Sequence, residues 1–159
     1  MADRVKPPAL DPVTVTSRKG SGYPAPFAPP CAEREKRVLG DPLGLTQFGV
    51  NLATLPPGTW SSQRHWHEQE DEFVYVLEGE LTLITDAGEQ MLSAGMAAGF
   101  PAGVEDGHHL VNRSDRPASY LEIGTRAPQE RCVYPDVDLT EEIGPQTEIF
   151  LHKDGTPYS

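Results

Sequence analysis

Glycine and proline divide this sequence into short segments, and that punctuation is the feature that most restricts its fold. The chain of 159 residues contains 15 glycines and 16 prolines, which recur between short apolar runs. Proline disrupts a helix interior and glycine favours turns, so no long helix fits such a pattern. The sequence therefore predicts an all-β protein, built from short antiparallel strands in a sandwich or small barrel.

At least seven segments have the composition of β-strands. The clearest is Glu72–Leu77 (EFVYVL), and Gly79 connects it tightly to a second run that begins at Glu80. Asp86-Ala87-Gly88 is typical of a hairpin turn. We expect strands within residues 44–55, 59–67, 72–77, 80–85, 89–92, 108–112 and 118–125. Near the C-terminus, the sequence predicts one helical turn at Leu139–Ile143 and a last strand at Glu148–His152.

The first 35 residues differ from the rest of the chain. Seven of the sixteen prolines lie within the first 30 residues, and residues 20–30 read GSGYPAPFAPP. We predict an extended, proline-rich N-terminal arm over residues 1–35, followed by a barrel domain over residues 36–159. The arm is either a loose tail or a segment packed along its own barrel or a partner subunit. In the second case Tyr23 and Phe27 are its anchors.

Charge and composition exclude several classes of function. The formal net charge of -11 repels phosphate backbones and anionic lipid, which argues against binding to nucleic acid or membranes. We find no apolar leader at the N-terminus and no run near the roughly 20 apolar residues of a spanning helix. Only Cys31 and Cys132 are present. We therefore expect a cytoplasmic protein without a disulfide framework.

Four of the five histidines fall into two short clusters. The first is His65-Trp66-His67, followed by Glu72, and the second is His108-His109. Alternate residues of a strand share a face, so His65 and His67 point the same way and can bind one metal ion. Glu72 can add a carboxylate, and either His108 or His109 can add a third imidazole. Such a set suits Zn, Fe(II), Mn, Ni or Co and leaves coordination positions open for a substrate.

These clusters resemble the paired motifs of the cupin superfamily. The first motif corresponds to Gly58, His65, His67, Glu72 and Gly79, with one extra residue before His65. The second corresponds to Gly95, Pro101, Gly103, His108 and Asn112, with two extra residues before His108. The motifs span residues 58–79 and 95–112. Within the superfamily, the chain is most similar to small bacterial proteins described as sugar-phosphate or mannose-6-phosphate-like isomerases.

The resemblance implies a double-stranded β-helix, which is the cupin jelly-roll barrel, with one divalent metal held inside it. It implies that His65, His67, Glu72 and His108 are the ligands, because the spacing from His108 to Asn112 is that of the family. His109 is then a structural residue that faces outward. The family habit, together with the proline-rich arm, also predicts a homodimer.

Three kinds of function remain open for such a site. The first is isomerase or lyase chemistry on a small polar substrate, such as a sugar phosphate or hydroxy acid, with the metal as Lewis acid. Tyr120 or Glu122, on the strand after the second motif, would then move the proton. Their alternative roles are a barrel-filling tyrosine and a solvated glutamate. The second function is an Fe(II)-dependent dioxygenase, and the third is a non-enzymatic protein that binds a small molecule or a metal.

Overall fold

A computed structural model describes residues 5–159, in which the chain forms thirteen β-strands and three short 3-10 helices. The helices are Pro12–Thr14, Pro29–Cys31 and Asp41–Leu43. The strands are β1 (Arg18–Lys19), β2 (Glu35–Val38), β3 (Phe48–Leu55), β4 (Trp66–His67), β5 (Glu72–Glu78), β6 (Glu80–Thr85), β7 (Gly88–Ser93), β8 (Ala97–Phe100), β9 (His109–Val111), β10 (Ala118–Thr125), β11 (Glu130–Tyr134), β12 (Leu139–Gly144) and β13 (Thr147–Leu151). None of the helices in this range is long and apolar enough to cross a bilayer.

The strands form two facing layers. One layer is a six-stranded sheet in the order β1-β2-β3-β10-β5-β8. The other contains a four-stranded sheet, β13-β12-β11-β4, and a three-stranded sheet, β7-β6-β9. Single bridges from Trp60 to Val111 and from His65 to His108 connect these two sheets. All the pairings are antiparallel, and the result is the jelly-roll barrel that the sequence resemblance implied.

Alternation along the strands places the core between the layers. In β5, Val74 and Val76 are 7% and 0% exposed, whereas Phe73, Tyr75 and Leu77 lie on the outer face. This is the period-2 pattern of a strand with one buried face. The buried residues meet their counterparts from the second layer in one apolar cluster, which consists of Ala53, Leu55, Val74, Val76, Leu81, Leu83, Leu92, Leu110, Ala118 and Tyr120.

The N-terminal segment is packed on its own barrel. Tyr23 and Phe27 join a second apolar cluster around Cys132, Tyr134 and Leu139. The ring centroids of Tyr23 and Tyr134 are 5.6 Å apart, in an edge-to-face arrangement. Residues 5–34 pack on their own barrel through Tyr23 and Phe27 rather than forming a loose tail. They are not extended throughout, because they include two 3-10 helices and a strand, β1, that pairs with β2. Residues 1–4 of that arm lie outside the described range. The domain boundary at residue 35 and the wrapping of a partner stay predictions.

The C-terminal part corrects one prediction. Leu139–Ile143 is not a helical turn but most of strand β12, which pairs with β11 on one side and β13 on the other. An isolated helical turn gains little by itself, whereas this segment completes two backbone ladders and buries Leu139 fully. The predicted last strand is confirmed as β13. Conversely, the predicted strand at 59–67 is reduced to β4 and two isolated bridges.

Gly79 occupies a turn that leaves no space for a side chain. It joins β5 to β6 with φ +79°, a conformation that L residues with a side chain rarely adopt. A Cβ atom added here would lie 2.8 Å from the carbonyl oxygen of Pro117 and 3.0 Å from Cα of Ala118. The backbone before β10 therefore packs directly on this glycine.

We predict that Gly79→Ala costs more stability than Gly58→Ala. Both glycines have φ +79°, but nothing lies within 4 Å of a Cβ at Gly58. The Gly58 variant should lose only the left-handed conformational cost of about 1–2 kcal/mol. The Gly79 variant should lose about 1–3 kcal/mol more, because the Pro117 backbone must move. Urea unfolding measures both losses, and equal losses would contradict the packing argument.

Candidate metal centre

His65 and His67 reach the barrel interior from a short, irregular edge of the second layer. His67 belongs to β4, where it pairs with Cys132 of β11, and His65 forms a two-way backbone bridge with His108. The side chain of His65 is fixed further, since its Nδ1 lies 2.8 Å from the Gln63 carbonyl oxygen. The bridge to His108 thereby brings the two histidine clusters of the sequence side by side.

Glu72 approaches the three imidazoles from the opposite layer. One carboxylate oxygen, Oε2, lies 2.6 Å from Nε2 of His108, 3.2 Å from Nε2 of His67 and 3.3 Å from Nε2 of His65. The structure thus places the four predicted ligands around one point, with the same ring nitrogen of each histidine turned inward. The two motifs, far apart in sequence, meet because β5 and the His65–His108 bridge lie in facing layers.

The protonation of this cluster follows from burial and mutual contact. Burial alone would raise the pKa of Glu72, but the His108 hydrogen bond and the close approach of His65 and His67 outweigh it and hold that pKa well below its usual range. Burial lowers the pKa of His108. Burial also acts to lower the pKa of His67, but Glu72 and Glu130 outweigh it and raise that pKa. The carboxylate and the neutral His108 imidazole are in the forms that bind metals.

The donor set fits a divalent transition-metal ion. Both ring nitrogens of His67 and Nδ1 of His108 are buried without a hydrogen-bond partner within the described residues. A buried polar atom without a partner is costly, and metal ligation would satisfy the inward nitrogen of His67. Donor atoms of His65, Glu72 and His108 lie within 4.8 Å of one another. Three imidazoles and one carboxylate leave room for further ligands on an ion of five or six coordination.

His109 takes a different position from His108. Its Nδ1 lies 2.8 Å from the Ser62 carbonyl oxygen, and its ring packs edge-to-face on Trp60, with ring centroids 4.9 Å apart. His109 is buried rather than outward-facing, with 6% of its surface exposed. His108, in contrast, stacks on Phe100 and contacts Glu72. The geometry therefore favours His108 as the third imidazole, as the family spacing implied.

His65, His67, Glu72 and His108 form the candidate metal-ligand cluster, and the first three of them line a cavity of about 410 Å³ between the two layers. The six-stranded sheet contributes Lys36, Asn51 and Glu122 to its lining. The other layer contributes Cys132, Tyr134 and Glu141. A larger groove, of about 800 Å³, lies outside the barrel beside β12 and β13, and no histidine lines it.

Of the two predicted proton-transfer residues, only Glu122 lines this cavity. It is ion-paired with Lys36 and accepts a hydrogen bond of 3.2 Å from Nδ2 of Asn51. Tyr120 is 1% exposed and belongs to the apolar cluster. Its hydroxyl has no hydrogen-bond partner among the described residues, and burial raises its pKa well above the ordinary value. A catalytic role for either residue stays a prediction.

Sequence reasoning missed Glu130, which supports the ligand loop. Its fully buried carboxylate accepts hydrogen bonds from the backbone N–H groups of Glu68 and Gln69, at 2.8 and 2.9 Å. One of its oxygens also lies 3.6 Å from Nδ1 of His67. Glu130 thus holds the loop between His67 and Glu72. It also places a carboxyl group near Nδ1 of His67, the ring nitrogen that does not face Glu72. No motif marks it, because it lies on β11, far from both histidine clusters in sequence.

We predict that Glu130→Gln destabilises the protein by about 1–3 kcal/mol, the cost of leaving a buried polar group unpaired. A glutamine side chain has a single carbonyl oxygen, so it cannot accept both backbone N–H groups in the same way. Urea unfolding of the metal-free protein measures the loss. Glu68→Gln is the control, because its carboxylate is partly exposed and its nearest cation, Arg131, is 4.0 Å away. A similar small loss for both variants would contradict this anchoring role.

Comparisons with known proteins agree with this geometry. The Cupin domain family matches residues 51–124. A crystal structure from Silicibacter pomeroyi, described as a sugar phosphate isomerase of the cupin superfamily, is 45% identical; it covers 96% of this chain and 97% of its own, with a TM-score of 0.92. A structure from Acidithiobacillus ferrooxidans, assigned by prediction as a sugar phosphate isomerase, is 28% identical with a TM-score of 0.74, and 83% of each chain is covered.

A curated protein from Streptomyces halstedii, Protein SchB, is 28% identical over 138 residues, which is 86% of this chain and 90% of that protein. The matched residues 51–124 contain both histidine clusters and Glu72. The match to the Silicibacter structure covers nearly the whole length of both chains. This chain therefore belongs to the cupin superfamily.

Proposed function

We propose that this protein is a metal-dependent enzyme that isomerises a small sugar phosphate or related hydroxy-carbonyl compound. The observation that carries the proposal is the convergence of three imidazoles on one carboxylate, that of Glu72, beside a polar cavity that His65, His67 and Glu72 line. The description of the 45% identical structure as a sugar phosphate isomerase supports the substrate class. The proposed ligands are His65, His67, Glu72 and His108, and the protein is proposed to be cytoplasmic.

A bound divalent ion would polarise a substrate carbonyl and so acidify the adjacent C–H bond. The chain's own residues can position the substrate and transfer the proton. Lys36 and Asn51, on the six-stranded sheet, can hydrogen-bond substrate oxygens and position the molecule. The carboxylate of Glu122 can accept a proton from carbon, because it lines the same cavity. Glu130 and the Gln63 carbonyl hold the imidazole rings in place.

A redox-active ion on the same ligands would support the alternative function. Fe(II) with open positions can bind a substrate and dioxygen together, as a dioxygenase requires. The ligand types suit iron as well as zinc or manganese, so the identity of the bound ion discriminates between these chemistries. A protein that binds a metal or a small molecule without turnover is the third outcome of the same experiment.

The outer face of the six-stranded sheet supports the proposed homodimer. Phe73, Tyr75 and Leu77 of β5 are 42%, 39% and 44% exposed, and they form a row beside Leu121 and Ile123 of β10. Exposed apolar rows of this kind are typical of interaction surfaces. We expect light scattering to give a dimer for the wild type and a monomer for Tyr75→Glu. A wild-type monomer at micromolar concentration would contradict the proposal.

The test of function begins with protein purified without chelator or nickel affinity. We expect about one divalent ion per chain in the wild type, because the four proposed donors converge on a single point. The double variant His65→Ala/His67→Ala should lose the ion, because it removes two of the four donors. His109→Asn is the matched control and should keep it, since His109 contacts Trp60 rather than the cluster. Retention of the ion by the double variant would refute the ligand assignment.

The same proteins are then incubated with a panel of aldose and ketose phosphates in deuterated water. We expect the wild type to interconvert at least one pair and to introduce deuterium next to the carbonyl, while the double variant does neither. Stoichiometric iron together with substrate-dependent oxygen uptake would establish the dioxygenase instead. A metal-loaded protein that turns over no member of the panel would contradict the isomerase proposal.

A further inference from the structure

The cavity has a second carboxyl group that the cupin motifs do not include. In the second layer, His67 pairs with Cys132, Cys132 pairs with Glu141, and Glu141 pairs with Phe150. Directly paired residues of antiparallel strands share a face, so these four side chains form one row across β4, β11, β12 and β13. Glu141 therefore lies on the cavity wall that begins at the metal-ligand cluster.

Glu141 is buried without a cation. Its side chain is 9% exposed, yet it lines the cavity, and its carboxyl accepts a hydrogen bond of 3.0 Å from the Tyr134 hydroxyl. Within residues 5–159, no Lys, Arg or His forms an ion pair with it. The titratable groups that face it are Tyr134 and Cys132 of β11, Glu148 of β13, His67 of β4 and, beyond Tyr134, Tyr23 of the N-terminal segment.

These surroundings keep a proton on Glu141 near neutral pH. Burial, and then the neighbouring Glu148 carboxylate, raise the pKa of Glu141 to about 8, although the Tyr134 hydroxyl and His67 act in the opposite direction. Across the cavity, Glu122 contacts the Lys36 ammonium and Nδ2 of Asn51. The two walls of one cavity thus carry carboxyl groups in contrasting surroundings, one without a cation and one beside a lysine, which is the arrangement that acid–base catalysis uses.

We propose that Glu141 is the proton donor of the isomerisation, an inference that rests on the proposed function above. As Glu122 takes the proton from the carbon next to the carbonyl, the C–H electron pair forms the carbon–carbon double bond. The carbonyl π electrons then take the proton of Glu141, which gives an enediol and leaves Glu141 as a carboxylate. In the second half, Glu122 returns its proton to the former carbonyl carbon, and the other hydroxyl returns a proton to Glu141.

Glu141→Gln tests this role with little change in shape. The glutamine keeps the volume and can still accept the Tyr134 hydrogen bond, but it cannot give up and regain a proton. Glu142→Gln is the matched control, because Glu142 is the next residue of β12, on the opposite face, and is exposed. We expect Glu141→Gln to keep its metal and its thermal transition while its rate falls by about 10²–10⁴-fold, the usual contribution of general acid–base catalysis. Glu142→Gln should turn over like the wild type.

A direct titration provides a readout besides activity. In the zinc-loaded protein labelled with carbon-13 at the glutamate carboxyls, one resonance should titrate above the ordinary glutamate range and should be missing in Glu141→Gln. Titration of that resonance near the ordinary glutamate value would overturn the proposal, as would full turnover by Glu141→Gln. A wild type that isomerises no sugar phosphate would instead refute the proposed function, and the donor role would be refuted with it. The two failures are therefore distinguishable.

Discussion

The contact between Glu72 and the three imidazoles depends on the two layers of the barrel being held at one register. Glu72 is the first residue of β5, in the six-stranded sheet, whereas the histidines belong to the other layer. A shift of one residue in β5 would turn Glu72 outward and bring Phe73 into the cavity. The pairing of β5 with β10 and β8 prevents such a shift, because Val74 and Val76 would have to leave the apolar cluster together.

Burial of charge is the second constraint on this barrel. The interior contains Glu72, Glu130 and Glu141 together with three imidazoles, and each group is stabilised in a different way. Glu72 contacts the histidines, Glu130 accepts two backbone N–H groups, and Glu141 accepts the Tyr134 hydroxyl while burial raises its pKa. Because an unpaired buried charge is strongly unfavourable, this division lets one small interior hold carboxyl groups of different reactivity.

Short sequence patterns were sufficient to predict the strands and turns whose geometry depends on a few neighbouring residues. The β5–β6 hairpin, for example, follows from apolar alternation and Gly79. The prediction failed where a segment becomes a strand only through pairing with its neighbours. Leu139–Ile143 has no strong pattern of its own and becomes a strand because β11 and β13 pair with it.

The sequence by itself determined the all-β class and the four candidate ligands, because period-2 alternation, turn glycines and closely spaced histidines are local patterns. The family spacing implied His108 rather than His109, and the tertiary structure favours the same choice, since His108 contacts Glu72 whereas His109 contacts Ser62 and Trp60. Only the tertiary structure brought Glu130 and Glu141 to the site, although neither lies in a motif. Glu130 lies there because β11 pairs with β4, between residues more than 60 positions apart, and Glu141 lies there because β12 pairs in turn with β11. No local pattern encodes the long-range pairing on which both positions depend.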